Sequence, residues 1–261
     1  MRQHEEAIAR YVERVARDPD VLAVVITGSV ARGTERADSD VDLYLVVTEE
    51  RWDSAFEAHR LMYVEREGAG YEHGYFDIKL ATLSYLDDAA ERGDDPVRDS
   101  FAASRIAFSR IDDLDARLAL IASLPDEIWD RRAGSFVAQA RLHGGYFLRQ
   151  GIERGDVLLT ANAAVHLVLA VGRALLAHNR VLYQGPKYLD AAVSSLPVKP
   201  PGVEAALRDV VSRPTIESGA ALLDLLEGFR DWPVPAESTL SRFVLDSELA
   251  WRYRTPPPEY S

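Results

Sequence analysis

The spacing of hydrophobic and polar residues changes near residue 112. Before this point short apolar runs of strand length alternate with helical stretches, and after it nearly every segment has a helical period. The first part predicts strands at 21–27, 41–47, 62–67, 75–83 and 105–109, and helices at 3–17, 51–60, 84–92 and 96–103, with a short helix starting at 29–33. The second part predicts only helices, at 113–123, 126–150, 156–178, 187–195, 203–212, 216–229 and 240–252.

Strands followed by helices indicate two domains in the 261 residues. We expect an α/β domain with a mixed sheet over 1–112 and an all-α helical bundle over 113–261.

Composition narrows the function classes. The formal charge of −12 disfavours broad nucleic-acid binding, which depends on Lys and Arg to neutralise phosphates. The absence of cysteine excludes disulfides and thiolate chemistry. The N-terminus is charged and helical in period, unlike a signal peptide, and the most apolar stretch, 157–178, is interrupted by Asn162, His166 and Arg173. We therefore predict a cytoplasmic protein that does not bind membranes.

The stretch "ITGSVARGTERADSDVDLYLVV", residues 26–47, carries the strongest chemical signal. Side chains alternate along a strand, so Asp40 and Asp42 are predicted to point to one face, a few ångströms apart. Two such carboxylates repel each other unless one is protonated or a cation lies between them. Mg²⁺ suits this arrangement, since it binds one or two carboxylates and completes its shell with water and phosphate oxygens.

Gly28 and Ser29 come directly after the first apolar run. A glycine there permits a sharp turn, whose free backbone N–H groups and serine hydroxyl can bind phosphate oxygens. Together with the two aspartates, this turn indicates a site that holds a nucleoside triphosphate through Mg²⁺.

The segment "GSVARGTERADSDVDLYLV" resembles the signature of the DNA polymerase β-like nucleotidyltransferase superfamily: Gly-Ser, a spacer of ten residues, then Asp-x-Asp in an apolar strand. The resemblance implies a third carboxylate on a later strand, for which Asp77 in "GYFDIKLATL" is the candidate. By the resemblance, Asp40, Asp42 and Asp77 ligate two Mg²⁺ ions and carry catalysis, and Asp77 is placed to take the acceptor's proton. Lys79 shares the face of Asp77, as its salt-bridge partner or as a substrate contact. The nucleotide-binding residues expected in this half are Gly28, Ser29, Arg32 and Ser39.

A second resemblance lies in "NRVLYQGPKYL", residues 179–189. It is similar to a segment in the helical domains of antibiotic nucleotidyltransferases, where the lysine reaches the β- and γ-phosphates. Tyr183 and Lys187 are therefore expected to bind nucleotide. This chain has only two other lysines, Lys79 and Lys199.

The leading hypothesis is a metal-dependent nucleotidyltransferase that moves NMP from an NTP, with ATP as the expected donor, to a hydroxyl of a small molecule. Pyrophosphate is released. The chain resembles the aminoglycoside and lincosamide nucleotidyltransferases. A protein with a net negative charge would attract a cationic acceptor. Transfer of NMP to a protein side chain, RNA tailing and a non-catalytic nucleotide-binding module are the alternatives. A homodimer stays open, because related antibiotic-modifying enzymes often build their site across subunits.

A ribonuclease hypothesis rests on Arg173 and His178, which match the R-x4-H spacing of helical ribonucleases of the HEPN type. The spacing is common by chance, and the acidic chain is a poor RNA binder.

Overall fold

The computed structural model describes residues 1–260. They divide into two compact units, the first spanning Met1–Ser123 and the second beginning at Leu124. The fold class is as predicted: a mixed sheet with helices, followed by a helical region.

The first unit contains five strands and six helices. The strands are β1 (Val21–Ile26), β2 (Val41–Val47), β3 (Met62–Glu65), β4 (Phe76–Ala81) and β5 (Arg105–Ser109). The helices are α1 (Arg2–Val15), α2 (Gly28–Arg32), α3 (Glu49–Glu57), α4 (Leu83–Arg92), α5 (Asp95–Ala102) and α6 (Leu114–Ala122).

The strands form one sheet in the order β3-β4-β2-β1-β5. All neighbouring pairs are antiparallel except β2 and β4, which run parallel. The parallel pair starts with Val41 opposite Phe76, so that Asp42 lies opposite Asp77. This register brings two of the predicted metal ligands together at the start of adjacent strands.

Apolar side chains cover both faces of the sheet, as a central sheet between helices requires. On one face Tyr11 of α1 packs on Phe76 and Ile78. On the other face Leu86 of α4 and Phe101 of α5 pack with residues of β1 and β2. The sheet is therefore the buried centre of the first unit.

The first unit ends after Ser123, later than the predicted boundary at 112, because α6 belongs to it. Leu114, Leu118 and Ile121 of α6 are buried in the same cluster as α4 and α5. The buried Arg98 of α5 donates hydrogen bonds to the carbonyl oxygens of Ile121 (2.8 Å) and Ser123 (3.2 Å). A helix attached in this way cannot open the second unit.

The second unit is helical throughout its described residues. Its α-helices are α7 (Asp126–Leu142), α8 (Leu148–Arg154), α9 (Val157–His178), α10 (Leu189–Ser195), α11 (Val203–Ser212), α12 (Ile216–Glu227), α13 (Thr239–Phe243) and α14 (Ala250–Tyr253). Short 3-10 turns occur at Pro186–Tyr188, Ala236–Ser238 and Pro258–Tyr260.

The central helix α9 packs against α7, α8, α10, α11 and α12. Among residues 1–260 it is the one helix that is long and apolar enough to cross a bilayer. The core helices of globular proteins can have the same length and composition. Residues from Leu167 onward, including Val171 and Leu175, are largely buried in the core of this unit. We therefore interpret α9 as a core helix.

Two predicted helices are interrupted by π-helical turns. The predicted helix 126–150 breaks at His143–Phe147, where a side chain on Gly144 would come within 2.8 Å of Leu223 of α12. The predicted helix 240–252 breaks at Val244–Glu248, where the carboxylate of Asp246 accepts a hydrogen bond from Ser135 of α7 (2.7 Å). Both interruptions therefore occur where the helix contacts another helix distant in sequence.

Candidate metal centre

The turn after β1 depends on a glycine. Gly28 has φ +63°, and a Cβ atom at this position would lie 2.0 Å from Oδ2 of Asp42. The preceding residue, Thr27, donates its backbone N–H to the carbonyl oxygen of Asp42 (2.9 Å). Only glycine lets the carboxylate lie directly against the turn, because any larger residue would occupy the same space.

The three predicted carboxylates converge in the structure. Asp42 and Asp77 face each other across the parallel pair, and Asp40 lies just before β2. One oxygen from each of the three lies within 4.8 Å of the others, and all three residues are half-buried. Such a set of hard oxygen ligands suits Mg²⁺ or Mn²⁺.

The electrostatics of Asp77 support a cation at this place. Burial raises the pKa of this carboxyl, the charge of Lys79 lowers it and the charge of Asp40 raises it. Its Oδ1 atom is buried and has no hydrogen-bond partner among the described residues. A buried acceptor atom without a partner lowers the stability of the fold, and a cation bound to this oxygen would remove that cost. The site therefore fits a metal ion.

Lys79 lies two residues after Asp77 on β4, opposite Tyr44 of β2. Its ammonium lies over the ring of Tyr44, 5.8 Å from the ring centre. Its positive charge partly offsets the negative charge of the three carboxylates. A contact between Lys79 and the substrate stays a prediction.

The surroundings of Asp40 include residues that sequence analysis did not predict. The hydroxyl of Tyr71 donates to the carbonyl oxygen of Ser39 (2.8 Å), and a ring nitrogen of His4 lies 3.2 Å from the same oxygen. The Asp40 carboxylate, as hydrogen-bond acceptor and as a charge, raises the pKa of Tyr75. No motif connects these residues, because they come from α1 and from the loop before β4.

Comparison with known proteins agrees with this geometry. Residues 8–97 match the family model described as the nucleotidyltransferase domain. This part of the chain therefore forms a nucleotidyltransferase domain of the polymerase β-like superfamily. The match covers the β1 turn and all three aspartates.

A solved structure is similar over most of the chain. It is the crystal structure of a nucleotidyltransferase-like protein from Exiguobacterium sibiricum, with a TM-score of 0.51 and 13% identity. The alignment covers 95% of this chain and 80% of the other. At this identity the likeness concerns the fold. No curated protein matches the chain.

Within the nucleotidyltransferase domain, the predicted nucleotide-binding residues differ in their surroundings. Gly28 and Ser29 open α2 beside Asp42. Arg32, at the end of α2, forms an ion pair with Asp99. The hydroxyl of Ser39 accepts a hydrogen bond from the backbone of Arg36 (2.9 Å), so it shapes the loop. Their contacts with a nucleotide stay predictions.

The other two predicted nucleotide-binding residues belong to the second unit. Tyr183 is buried, with the guanidinium of Arg173 4.7 Å from its ring centre. Lys187 is exposed in the turn Pro186–Tyr188, with its ammonium 5.2 Å from the ring centre of Tyr188. Their roles also stay predictions.

The residues of the ribonuclease hypothesis have separate surroundings. Arg173 is buried and donates to the carbonyl oxygen of Pro258 (2.9 Å). His178 is half-buried, 2.5 Å from the guanidinium of Arg230, and packs against Trp232. Arg173 thus has a structural role in the helical core, and we do not pursue this hypothesis.

Proposed function

We propose that the protein is a divalent-cation-dependent nucleotidyltransferase that transfers NMP from an NTP to a hydroxyl of a small molecule. The observation that supports it most is the cluster of Asp40, Asp42 and Asp77 against the Gly28 turn, inside a domain of the nucleotidyltransferase family. ATP is the proposed donor and Mg²⁺ the proposed ion, from the resemblance and from the hard oxygen ligands.

In this proposal the residues of the first unit divide the work. The free backbone N–H groups at Gly28 and Ser29 bind phosphate oxygens, and the three carboxylates hold the ions. Bound divalent ions supply charge neutralisation on the triphosphate and a lowered pKa for the acceptor hydroxyl.

The bond changes follow the known chemistry of phosphoryl transfer. The acceptor oxygen forms a bond to the α-phosphorus, and the bond from that phosphorus to the bridging oxygen breaks, so pyrophosphate leaves. The proton of the acceptor hydroxyl is proposed to go to a carboxylate oxygen of Asp77, the acid that the family resemblance places beside the attacking oxygen.

The acceptor is proposed to be a small cationic molecule of the aminoglycoside kind. The formal charge of −12 would attract such a molecule by its long-range field. The same charge disfavours an RNA acceptor, which would be repelled.

The experiment measures pyrophosphate release from each of the four NTPs with Mg²⁺ and a panel of aminoglycoside and lincosamide acceptors. Label from [α-³²P]NTP is followed into small molecules and into protein in the same reactions. We expect label in a small acceptor, dependent on Mg²⁺ and absent with Asp42→Asn. Label in protein would favour the protein-modifying alternative. NTP binding with no transfer to any acceptor would favour the non-catalytic module.

A further inference from the structure

We infer that His4 and Tyr71 are positioning residues for Asp40: they hold the Ser39 carbonyl group and so fix the neighbouring carboxylate for metal binding. This inference rests on the proposed function, since it assumes that the aspartate cluster binds a divalent cation. It adds two residues, outside the acidic cluster, on which the affinity of the site depends.

Asp40 needs support that the other two ligands do not. Asp42 and Asp77 lie within β2 and β4 and are opposite each other in the ladder, so the sheet fixes their backbones. Asp40 precedes β2, which begins at Val41. Because its carboxylate also faces two like charges, an unsupported Asp40 would turn toward solvent.

Two side chains hold the residue before Asp40. The carbonyl oxygen of Ser39 lies 2.8 Å from the hydroxyl of Tyr71 and 3.2 Å from Nε2 of His4. A carbonyl oxygen can only accept, so the hydroxyl donates and Nε2 of His4 carries the hydrogen. With both bonds in place, the peptide unit between Ser39 and Asp40 has one orientation.

The two supporting side chains are themselves fixed. His4 is fully buried on α1, and its ring meets the ring of Tyr71 edge to face, with centroids 4.9 Å apart. Gln3 of the same helical turn donates to the carbonyl oxygen of Ala37 (2.6 Å). The first turn of α1 therefore holds two alternate carbonyl groups of the loop that leads into the metal site.

Tyr75 supports Asp40 from the other side. Its carbonyl oxygen accepts the backbone N–H of Val41 (3.0 Å), the residue that follows Asp40. Both sequence neighbours of Asp40, Ser39 and Val41, are thus hydrogen-bonded to residues distant in sequence. Supports of this kind around a metal ligand are typically worth a factor of about 10 to 100 in metal affinity.

The test compares the Mn²⁺ affinity of the full chain and its variants by electron paramagnetic resonance. Tyr71→Phe removes one hydroxyl and leaves the ring on His4, and we expect it to weaken Mn²⁺ binding about 10-fold. His4→Leu should weaken it at least as much, and His4→Gln, which keeps a donor, should restore part of the loss. The matched control is Tyr63→Phe, a half-buried tyrosine in the same core cluster whose hydroxyl is near Tyr11, and it should bind as the wild type does.

Thermal unfolding in EDTA separates positioning from folding. Loss of one hydrogen bond should lower the Tm of Tyr71→Phe by only about 2 to 4 °C, which leaves the metal-free fold intact. Equal Mn²⁺ affinity of Tyr71→Phe, His4→Leu and the wild type would overturn the inference while the proposed function stands. Failure of the wild type itself to bind Mn²⁺ would overturn both, and loss of binding in Asp42→Asn shows that the measured site is the acidic cluster.

Discussion

The two units differ in the surroundings of their buried and half-buried charged side chains. In the first unit three carboxylates face one another, and one of their oxygens is buried without a partner among the described residues. In the second unit the buried Arg173 lies between the rings of Phe136 (4.2 Å) and Tyr183 (4.7 Å) and donates to a carbonyl oxygen. Folding alone can explain the second arrangement, since two aromatic rings and a carbonyl oxygen of the same unit stabilise the single positive charge.

A cluster of like charges has no such explanation. It lowers the stability of the fold that contains it, and groups of this kind are retained where they bind or react. The difference supports our proposal that the chemistry of the protein takes place at the start of β2 and β4, and it can be tested by changing each kind of group in turn.

The largest effect is expected for Asp42→Asn. Removing one ligand charge should lower the rate of NMP transfer about 10³-fold, because metal ions contribute several kcal/mol to stabilising the transition state. Stability without metal should stay the same or rise, since one repulsive charge is gone. Transfer rates and urea unfolding in EDTA provide the two measurements. The control is Asp38→Asn, an exposed acid paired with Arg36 in the same loop, which should change neither; an active Asp42→Asn would break the comparison.

Gly28→Ala should have the next largest effect on activity. The new Cβ atom would lie 2.0 Å from Oδ2 of Asp42, so the carboxylate must move, and we expect at least about 10-fold weaker Mn²⁺ binding. The positive φ adds about 1 kcal/mol of strain. Gly33→Ala isolates that strain, because Gly33 has φ +69° and nothing within 4 Å of an added Cβ. Equal Mn²⁺ affinity in both variants would show that the contact with Asp42 is unimportant.

In the second unit, His143 should contribute to the loss of stability in acid. Burial, with the charge of the stacked His166 (4.7 Å between ring centres), lowers the pKa of His143 to about 4. The unfolded chain takes up this proton near pH 6.5, whereas the folded chain does not until about pH 4. The contribution of His143 to the free energy of unfolding is therefore fully present above about pH 6.5. It decreases, by at most about 3 kcal/mol, as the pH falls toward 4.

Denaturant unfolding as a function of pH measures this contribution. His143→Gln should flatten the decline between pH 6.5 and 4, and saturating Mg²⁺ should leave the difference between variant and wild type unchanged. The exposed His73 supplies the control, His73→Gln, which should retain the wild-type slope. A wild-type slope in His143→Gln would refute the account of His143.

The smallest effect on activity is expected for Lys187→Ala. This variant tests whether a residue of the second unit takes part in the reaction. The lysine is exposed, so stability should not change, and loss of a phosphate contact should raise the KM for NTP about 10-fold, since charged hydrogen bonds contribute about 1.5 to 3 kcal/mol. Lys199→Ala is the matched control, because Lys199 already pairs with Glu204 (2.8 Å). An unchanged KM in Lys187→Ala would confine the phosphate site to the first unit.

Local patterns were sufficient to predict the part of the site that is close in sequence, the pair Asp40 and Asp42 at alternate positions of one strand. Asp77 was predicted from the family resemblance, which implies a third carboxylate on a later strand. The helix 203–212 and the strand 105–109 were predicted with the bounds that the structure has, because their apolar periods are regular and clear turn residues follow.

The rest depended on contacts that no local pattern encodes. The two π-helical turns occur at contacts with distant helices, and the boundary after Ser123 depends on hydrogen bonds from Arg98 to α6. The support of Asp40 comes from His4 and Tyr71, each more than thirty residues away in sequence, and a buried histidine on an amphipathic helix resembles any other core residue.

The most direct test of the central claim is a crystal of the protein soaked in Mn²⁺ and measured at an energy where manganese scatters anomalously. The account predicts an anomalous peak among Asp40, Asp42 and Asp77, about 2 Å from carboxylate oxygens of at least two of them. A map from well-occupied crystals at millimolar Mn²⁺ with no peak at these three aspartates would contradict it.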